Sequence, residues 1–420
     1  MYWTSIVLDR LASVVALDLA LFSACGAPSM PGPGEGSEMG AVVATESADD
    51  SVAGAANPRT CGAPATPAAS GTPLWLQSYD EIEISGVAAD SRGNVFLARS
   101  GVETIALGCN GVQIWSVPFG ARVAVDHDDN VYVAGSRGDG SAFVYKLDTA
   151  GSVVYEANLG AEASGGVESL VVDSGQNVAL SGPSLGTSKL DATGSLLWNR
   201  PFSGQLAFDA ESDLWLTGSL EGTRSFDGTT LTSRGGSDVL LLELAGDGAV
   251  TSARSFGDAG AMQRGEAIAV DPAGNVVIAG TFDGNVDFGA GPLAHRPESC
   301  SPDAWCVTSG FVAKVDAQGG AAWSVTLGLT RAVPSVAAGS LGDLAVSSVL
   351  PGGVRPFRRP LVSVLDPNGQ GVWQRSEWPD TGIGAGRGVA FDAADDVIWS
   401  VNARPSLQLE ERAYLAKLAH

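Results

Sequence analysis

The chain has 420 residues, 55 of them glycine and only 17% charged, with a formal net charge of −23. That acidity opposes nucleic acid and anionic membrane surfaces as partners. No helical periodicity of useful length follows residue 30, so an all-β protein is expected, and all-β rings run long as single domains.

In chain order, Leu11–Ala24 (LASVVALDLALFSA) is apolar, too short to span a bilayer as a stable helix, and ends in small residues before Cys25. Residues 1–24 therefore read as an export signal peptide. The run FSAC resembles a bacterial lipobox in Ser23, Ala24 and Cys25, with Phe22 in place of the commoner Leu. The resemblance implies a lipid on Cys25, and Gly26 after it favours the outer membrane or cell surface. A periplasmic or secreted protein is the alternative, because Asp18 interrupts the apolar run. Residues 25–69 are rich in Pro, Gly, Ser and Ala, which bury too little surface to offset ordering entropy, so a flexible linker is expected.

From residue 70 onward one pattern repeats at intervals of roughly 36–68 residues. An apolar run ends in Asp, turns, and restarts four residues on at Asn or Asp, as in VAVDHDDNVYVA from Val123 and IAVDPAGNVVIA from Ile268. The turn opens on Asp90, Asp126, Asp173, Asp209, Asp271 and Asp392, with Gly339 in the sixth copy. Asp at a turn corner bonds its own backbone, so each copy predicts two strands, A and B, and a tight turn. A second half-unit supplies strands C and D around Gly, three residues and an aromatic: Gly111–Trp115, Gly194–Trp198, Gly319–Trp323 and Gly369–Trp373, with weaker copies at Gly151–Tyr155 and Gly248–Ser252. The seventh unit stops after its C strand (AYLAKLAH), and the missing strand stands at the other end as Gly71–Trp75. The prediction is a seven-bladed β-propeller over residues 70–420, with four-stranded antiparallel blades and an N-terminal strand near Thr72–Tyr79 closing the last one.

VAVDxxGNVYVAG followed by FVxKLDxxGxxxW resembles the bacterial seven-bladed β-propeller repeat (SBBP) family of exported and surface proteins, over about Thr72–His420. NHL-type propellers share parts of the pattern. KLDATGSLLW at Lys189 approaches the tryptophan motif of quinoprotein-like propellers. The resemblance speaks for the fold and is almost silent about activity.

In such a blade the A–B and C–D turns share one face, and the B–C loops and D–A crossovers share the other. Length varies in B–C, where loops on a rigid scaffold concentrate binding residues. Two of these loops carry related inserts, GSLEGTRSFDGTTL from Gly218 and GTFDGNVDFGAGPL from Gly280, in which Phe226 and Phe288 are expected to pack. The candidate binding residues are Asp227, Asp283, Asp287, Trp305, Arg355, Arg358 and Arg359. RPFRRP, from Arg355, is suited to a carboxylate, a sulfate or an acidic partner. Cys61, Cys109, Cys300 and Cys306 form an even set suggesting two disulfides, with three possible connectivities and a local Cys300–Cys306 staple favoured. The acidic turns lack the alternating oxygens of a calcium loop, so no metal or cofactor is implied.

The reading is a lipid-anchored binding or scaffold module at the cell envelope, expected as a monomer. Its partner would be an envelope protein, a peptide or a glycan, and its contact with the membrane would be through the lipid only. The alternative is an exported hydrolase or lyase using carboxylates at the central channel, where the crossovers supply Glu83, Glu168, Arg264, Glu266 and Arg387. No nucleophile elbow, phosphate loop or zinc-protease motif supports a specific enzyme.

Overall fold

Six of the seven A–B turns are built around the aspartate that opens them. In the first copy Asp90 Oδ1 accepts the N–H groups of Arg92 (2.9 Å) and Asn94 (2.8 Å), while Asn94 Nδ2 donates to Asp90 Oδ2 at 2.7 Å. The same fork recurs at Asp126, Asp173 and Asp271. The residue before the Asn or Asp takes a left-handed backbone, with φ of 76° at Gly93 and 63°, 62° and 67° at Asp129, Gln176 and Ser212. Non-glycine residues there cost roughly 1–2 kcal/mol, which the hydrogen-bonded Asp offsets. Gly339 keeps only the backbone bonds of the turn, and the next-blade bond from Asp395 to the Ser340 N–H (2.7 Å) repeats that of Asp129 to the Ser91 N–H (2.8 Å).

The computed structural model describes residues 68–80, 83–160, 166–259, 262–295, 308–316, 320–351, 358–376, 383–404 and 412–420. All of them lie in the compact unit Ala55–His420. The predicted signal peptide, Cys25 and all but the last two residues of the linker lie outside them. Seven four-stranded antiparallel sheets follow one another. Blade one is Ile84–Ala89, Val95–Arg99, Glu103–Leu107 and Gln113–Val117; blade two is Arg122–Val125, Val131–Ser136, Ala142–Leu147 and Val153–Asn158. Blade three is Ser169–Val172, Val178–Gly182, Gly186–Leu190 and Leu196–Arg200; blade four is Gln205–Phe208, Leu214–Leu220, Asp238–Leu244 and Val250–Phe256. Blade five is Gln263–Val270, Val276–Phe282, Thr308–Val315 and Ala321–Thr330; blade six is Ala332–Ala338, Leu344–Pro351, Arg358–Leu365 and Gly371–Arg375. Blade seven takes Ile383–Phe391, Val397–Arg404 and Arg412–Leu418 from the C-terminus and Pro73–Asp80 from the N-terminus.

The two ends meet as the repeat requires. Trp75 pairs with Lys417 and Tyr79 with Ala413. Gly71 N–H donates to the Ala419 carbonyl (2.7 Å) and Ala419 N–H to Thr72 (2.9 Å). These bonds match those of an unbroken C–D turn, in which Gly194 N–H donates to Asp191 and Asp191 N–H to Ser195, both at 2.9 Å. Blade seven is thus a normal blade whose C–D turn is split between the two ends of the described chain.

The core lies between blades, not within one. Seven apolar clusters occupy the seven blade interfaces. In blade one, Val95 and Leu97 face Ile398 and Leu415 of blade seven, while Phe96 and Ala98 face Val123 and Val133 of blade two. Both faces of each inner strand are buried, so strand B reads as a continuous apolar run instead of alternating. Each fully buried Val, Leu or Ile contributes roughly 1.5–3 kcal/mol.

The Gly-x-x-x-aromatic motif has a mechanism across the interface. Each aromatic lies over the glycine of the next blade's C–D turn: Trp75 over Gly111, Trp115 over Gly151, Tyr155 over Gly194, Trp198 over Gly248, Trp323 over Gly369 and Trp373 over Gly71. A Cβ at Gly151 would lie 2.8 Å from the Trp115 ring. Several indoles also donate to a carbonyl of that same turn, Trp75 to Cys109 at 2.8 Å, Trp198 to Gly246 at 2.9 Å and Trp323 to Pro367 at 3.0 Å.

Strand C carries a further device. Buried lysines reach the turn aspartate of their own blade: Lys146 to Asp126 (3.7 Å), Lys189 to Asp173 (3.5 Å), Lys314 to Asp271 (2.8 Å), and Lys417 to Asp392 and to Asp396 (3.2 Å). Blade four has Glu243 at this register, opposite Trp215, whose indole donates to Asp209 at 3.0 Å.

Candidate functional site

The inserts predicted in the B–C loops of blades four and five are two small hairpins, Thr223–Phe226 with Thr229–Thr232 and Asn285–Asp287 with Pro292–Ala294. Phe226 and Phe288 are buried as expected, Phe226 edge-on to Phe202 (5.8 Å) and Phe288 against Phe311 (4.8 Å). The acids of these inserts hold them in place. Asp227 pairs with Arg200 and accepts the Val250 N–H at 2.9 Å. Asp283 accepts the Met262 N–H, and Asp287 caps its own turn through Gly289 (2.7 Å) and Gly291 (3.2 Å). His295 Nδ1 sits 2.9 Å from Ser309 Oγ.

Arg359 is the second residue of strand C of blade six and is exposed at the same end of the ring. Trp305, Arg355, Cys61, Cys300, Cys306 and the side chain of Arg358 lie outside the described residues. Cys109, in the first C–D turn, is disulfide-bonded.

Charged residues gather at the start of the A strands, where the D–A crossovers deliver the chain to the central channel. Arg122 bridges three blades, with Nε donating to the Glu168 carbonyl (2.7 Å) and Nη1 to Ser85 (3.0 Å) and Ala121 (2.9 Å). Burial pulls this guanidinium below its ordinary value; the Glu168 charge opposes that shift and the Arg387 charge adds to it. Glu266 accepts from the Thr281 hydroxyl and the Val333 N–H, both at 2.7 Å, which joins blade five to blade six. Burial pushes its carboxyl above the ordinary value despite those donors and nearby Arg264. Arg387 pairs with Glu83 at 3.4 Å across the seven–one interface. Glu168, Gln205 and Arg264 differ: their side chains make no hydrogen bond or ion pair among the described residues.

Three cavities open on this face and share Arg122 and Glu168. One of about 490 Å³ is walled by Gln205, Arg264 and Glu266. A second of about 540 Å³ is walled by Phe119 and Phe143. The third, about 410 Å³, reaches across the ring to Glu83, Ser335 and Arg387. Sequence reasoning found Glu83, Glu168, Arg264, Glu266 and Arg387 as crossover residues and missed Arg122 and Gln205. The available signal was register, since Arg122 immediately precedes the A-strand run VAVD, and Gln205 precedes LAFD.

With this geometry in view, the chain is similar to the crystal structure of the RRP9 WD40 repeats, at a TM-score of 0.54 and 11% identity over 83% of this chain and 99% of that one. It is similar also to U3-55K, with a TM-score of 0.52 and 11% identity over 82% of this chain and 98% of that one. The likeness shows the fold alone. No family model matches the chain, and no curated protein does.

The opposite face carries the Asp-capped turns, whose carboxylate oxygens are taken by backbone N–H groups, Asn amides and lysines. Among the described residues no three His, Cys, Asp or Glu side chains gather to hold a metal ion. The cavity face combines apolar walls, fixed guanidinium and carboxylate charges and unengaged polar side chains. Such a surface can recognise a polar ligand and orient it.

Proposed function

We propose that the protein is a binding or scaffold module of the cell envelope, exported and held by a lipid on Cys25, which takes its ligand at the channel mouth. The carrying observation is that three cavities sharing Arg122 and Glu168 lie on the face where loop lengths vary. Near-uniform capped turns occupy the other face. Export is supported by the N-terminal apolar run, by the repeat's resemblance to the SBBP pattern, and by the disulfide at Cys109, since such bonds persist in oxidising compartments. A Cys61–Cys109 bond fits this reading and would tie the linker to blade one. Binding is favoured over hydrolysis because Glu266 and Glu83 are engaged in blade-to-blade contacts. The insert acids Asp227, Asp283 and Asp287 give the cavity face its shape, and Arg359 adds an exposed positive charge there.

The test compares the full chain with a Ser219→Trp variant, in which an indole on an exposed cavity-lining position fills the 490 Å³ space. Immobilised wild type is expected to retain a solubilised envelope component that the variant does not. Equal retention by both would remove the channel mouth as the site. Fatty-acid labelling of the parent and of Cys25→Ala settles the anchor separately, and an unlabelled parent rejects it.

A further inference from the structure

The side chains at the channel mouth that make no hydrogen bond or ion pair among the described residues have complementary signs and separate positions. Glu168 stands at the start of blade three, Gln205 at the start of blade four and Arg264 at the start of blade five, all lining the one cavity of about 490 Å³. That volume lies within the usual range for small-ligand sites, roughly 300–1,000 Å³. The other charges there are committed, Arg122 to three carbonyls and Glu266 to a hydroxyl and an amide. An exposed guanidinium fork matches a carboxylate, and an exposed carboxylate matches an ammonium, each through charge-assisted hydrogen bonds. Neither a neutral sugar nor a simple anion would satisfy both.

Glu168 also lines the second cavity, where Phe119 stacks on Tyr145 (4.1 Å) and Phe143 meets Tyr145 edge-on (5.4 Å). One carboxylate therefore sits between an apolar lobe and a polar lobe that holds Arg264.

We propose that the channel mouth binds the free ends of a short peptide, its ammonium on Glu168, its first side chain in the Phe119/Phe143 lobe and its carboxylate on Arg264. This rests on the binding reading above and names the ligand class for it. Gln205, between the two charges, serves the peptide amide.

The experiment is calorimetric titration of the full chain with Leu-Gly-Gly, acetyl-Leu-Gly-Gly and Leu-Gly-Gly-amide, each up to about 10 mM, a range that detects millimolar affinity. Saturable one-to-one binding of the unblocked peptide is expected, weakened roughly 10–100-fold by blocking either end. Glu168→Gln should lose discrimination against the acetylated peptide and Arg264→Met against the amide. Both positions are exposed, so unchanged unfolding midpoints are expected and are measured alongside. No binding of Leu-Gly-Gly, or binding indifferent to both blocks, overturns the proposal. If Leu-Gly-Gly fails while Ser219→Trp still abolishes envelope retention, the binding reading stands and the peptide class falls. If neither responds, both fall.

Discussion

At the scale of single residues, the buried Lys–Asp pairs decide most. Removing one partner leaves a buried charge without its counter-charge, at a cost of roughly 3–5 kcal/mol. Asp271→Ala should therefore lower stability by about that amount, read from urea unfolding, whereas Lys314→Met should cost less because Asn275 and backbone donors still hold the carboxylate. Burial alone would raise the Asp271 carboxyl, but Lys314 and Asn275 outweigh it and the net shift is downward. Its contribution is accordingly full above the ordinary carboxylate value of 3.8 and is lost as pH falls through the lower folded value. Asp271→Ala should flatten the acid limb of the stability curve.

Glu243 has the opposite sign. Burial first, then the charges of Asp213 and Asp209, raise its carboxyl. Its penalty is therefore absent below the ordinary value of 4.5 and full above the folded one. Glu243→Gln should raise the urea midpoint at pH 7, with the gain gone by about pH 4. An unchanged midpoint at pH 7 would show that solvent screens the cluster.

At the scale of elements, the turn and its neighbour's aromatic form the unit that joins blades. Gly151 has φ 83° and lies against Trp115, so Gly151→Ala meets both a left-handed backbone cost and a ring contact. The expected loss is about 2–3 kcal/mol. The double variant Gly151→Ala with Trp115→Ala should lose less than the sum of the two singles, as a double-mutant cycle would show.

These elements were legible because each turn residue acts on its own backbone, so Asp126 and Gly151 announce their roles within a few positions of sequence. The strand-C lysines were visible in runs such as FVYKLD and FVAKVD, but their partners lie two strands away and a linear reading gives them none. Glu168 was marked by its crossover position, but its meeting with Arg122 was harder still. They come from different blades and meet only because the ring brings the A strands together, which no local pattern encodes.

At the scale of the molecule, closure is the condition on which the rest depends. A chain starting at Glu83 would lack Pro73–Asp80, leaving the edge of Arg412–Leu418 bare and Trp75 missing from the seven–one interface. It should aggregate or melt more than about 10 °C below the parent in calorimetry. A permuted chain that joins His420 directly to Ser70 and opens between Gly138 and Asp139 should melt within about 5 °C of the parent, since the joined sequence KLAHSGTPLW restores the spacing of KLDATGSLLW. Failure of the permuted chain to fold would mean that the split turn does more than imitate an ordinary one.

The position of that split also sets direction. Because Gly71 occupies a C–D turn, the first end of the closing strand Pro73–Asp80 lies on the side of the capped corners, at the far end of the strands from Arg264 and Glu168. An attachment made at that end leaves the open side unobstructed to whatever arrives by diffusion.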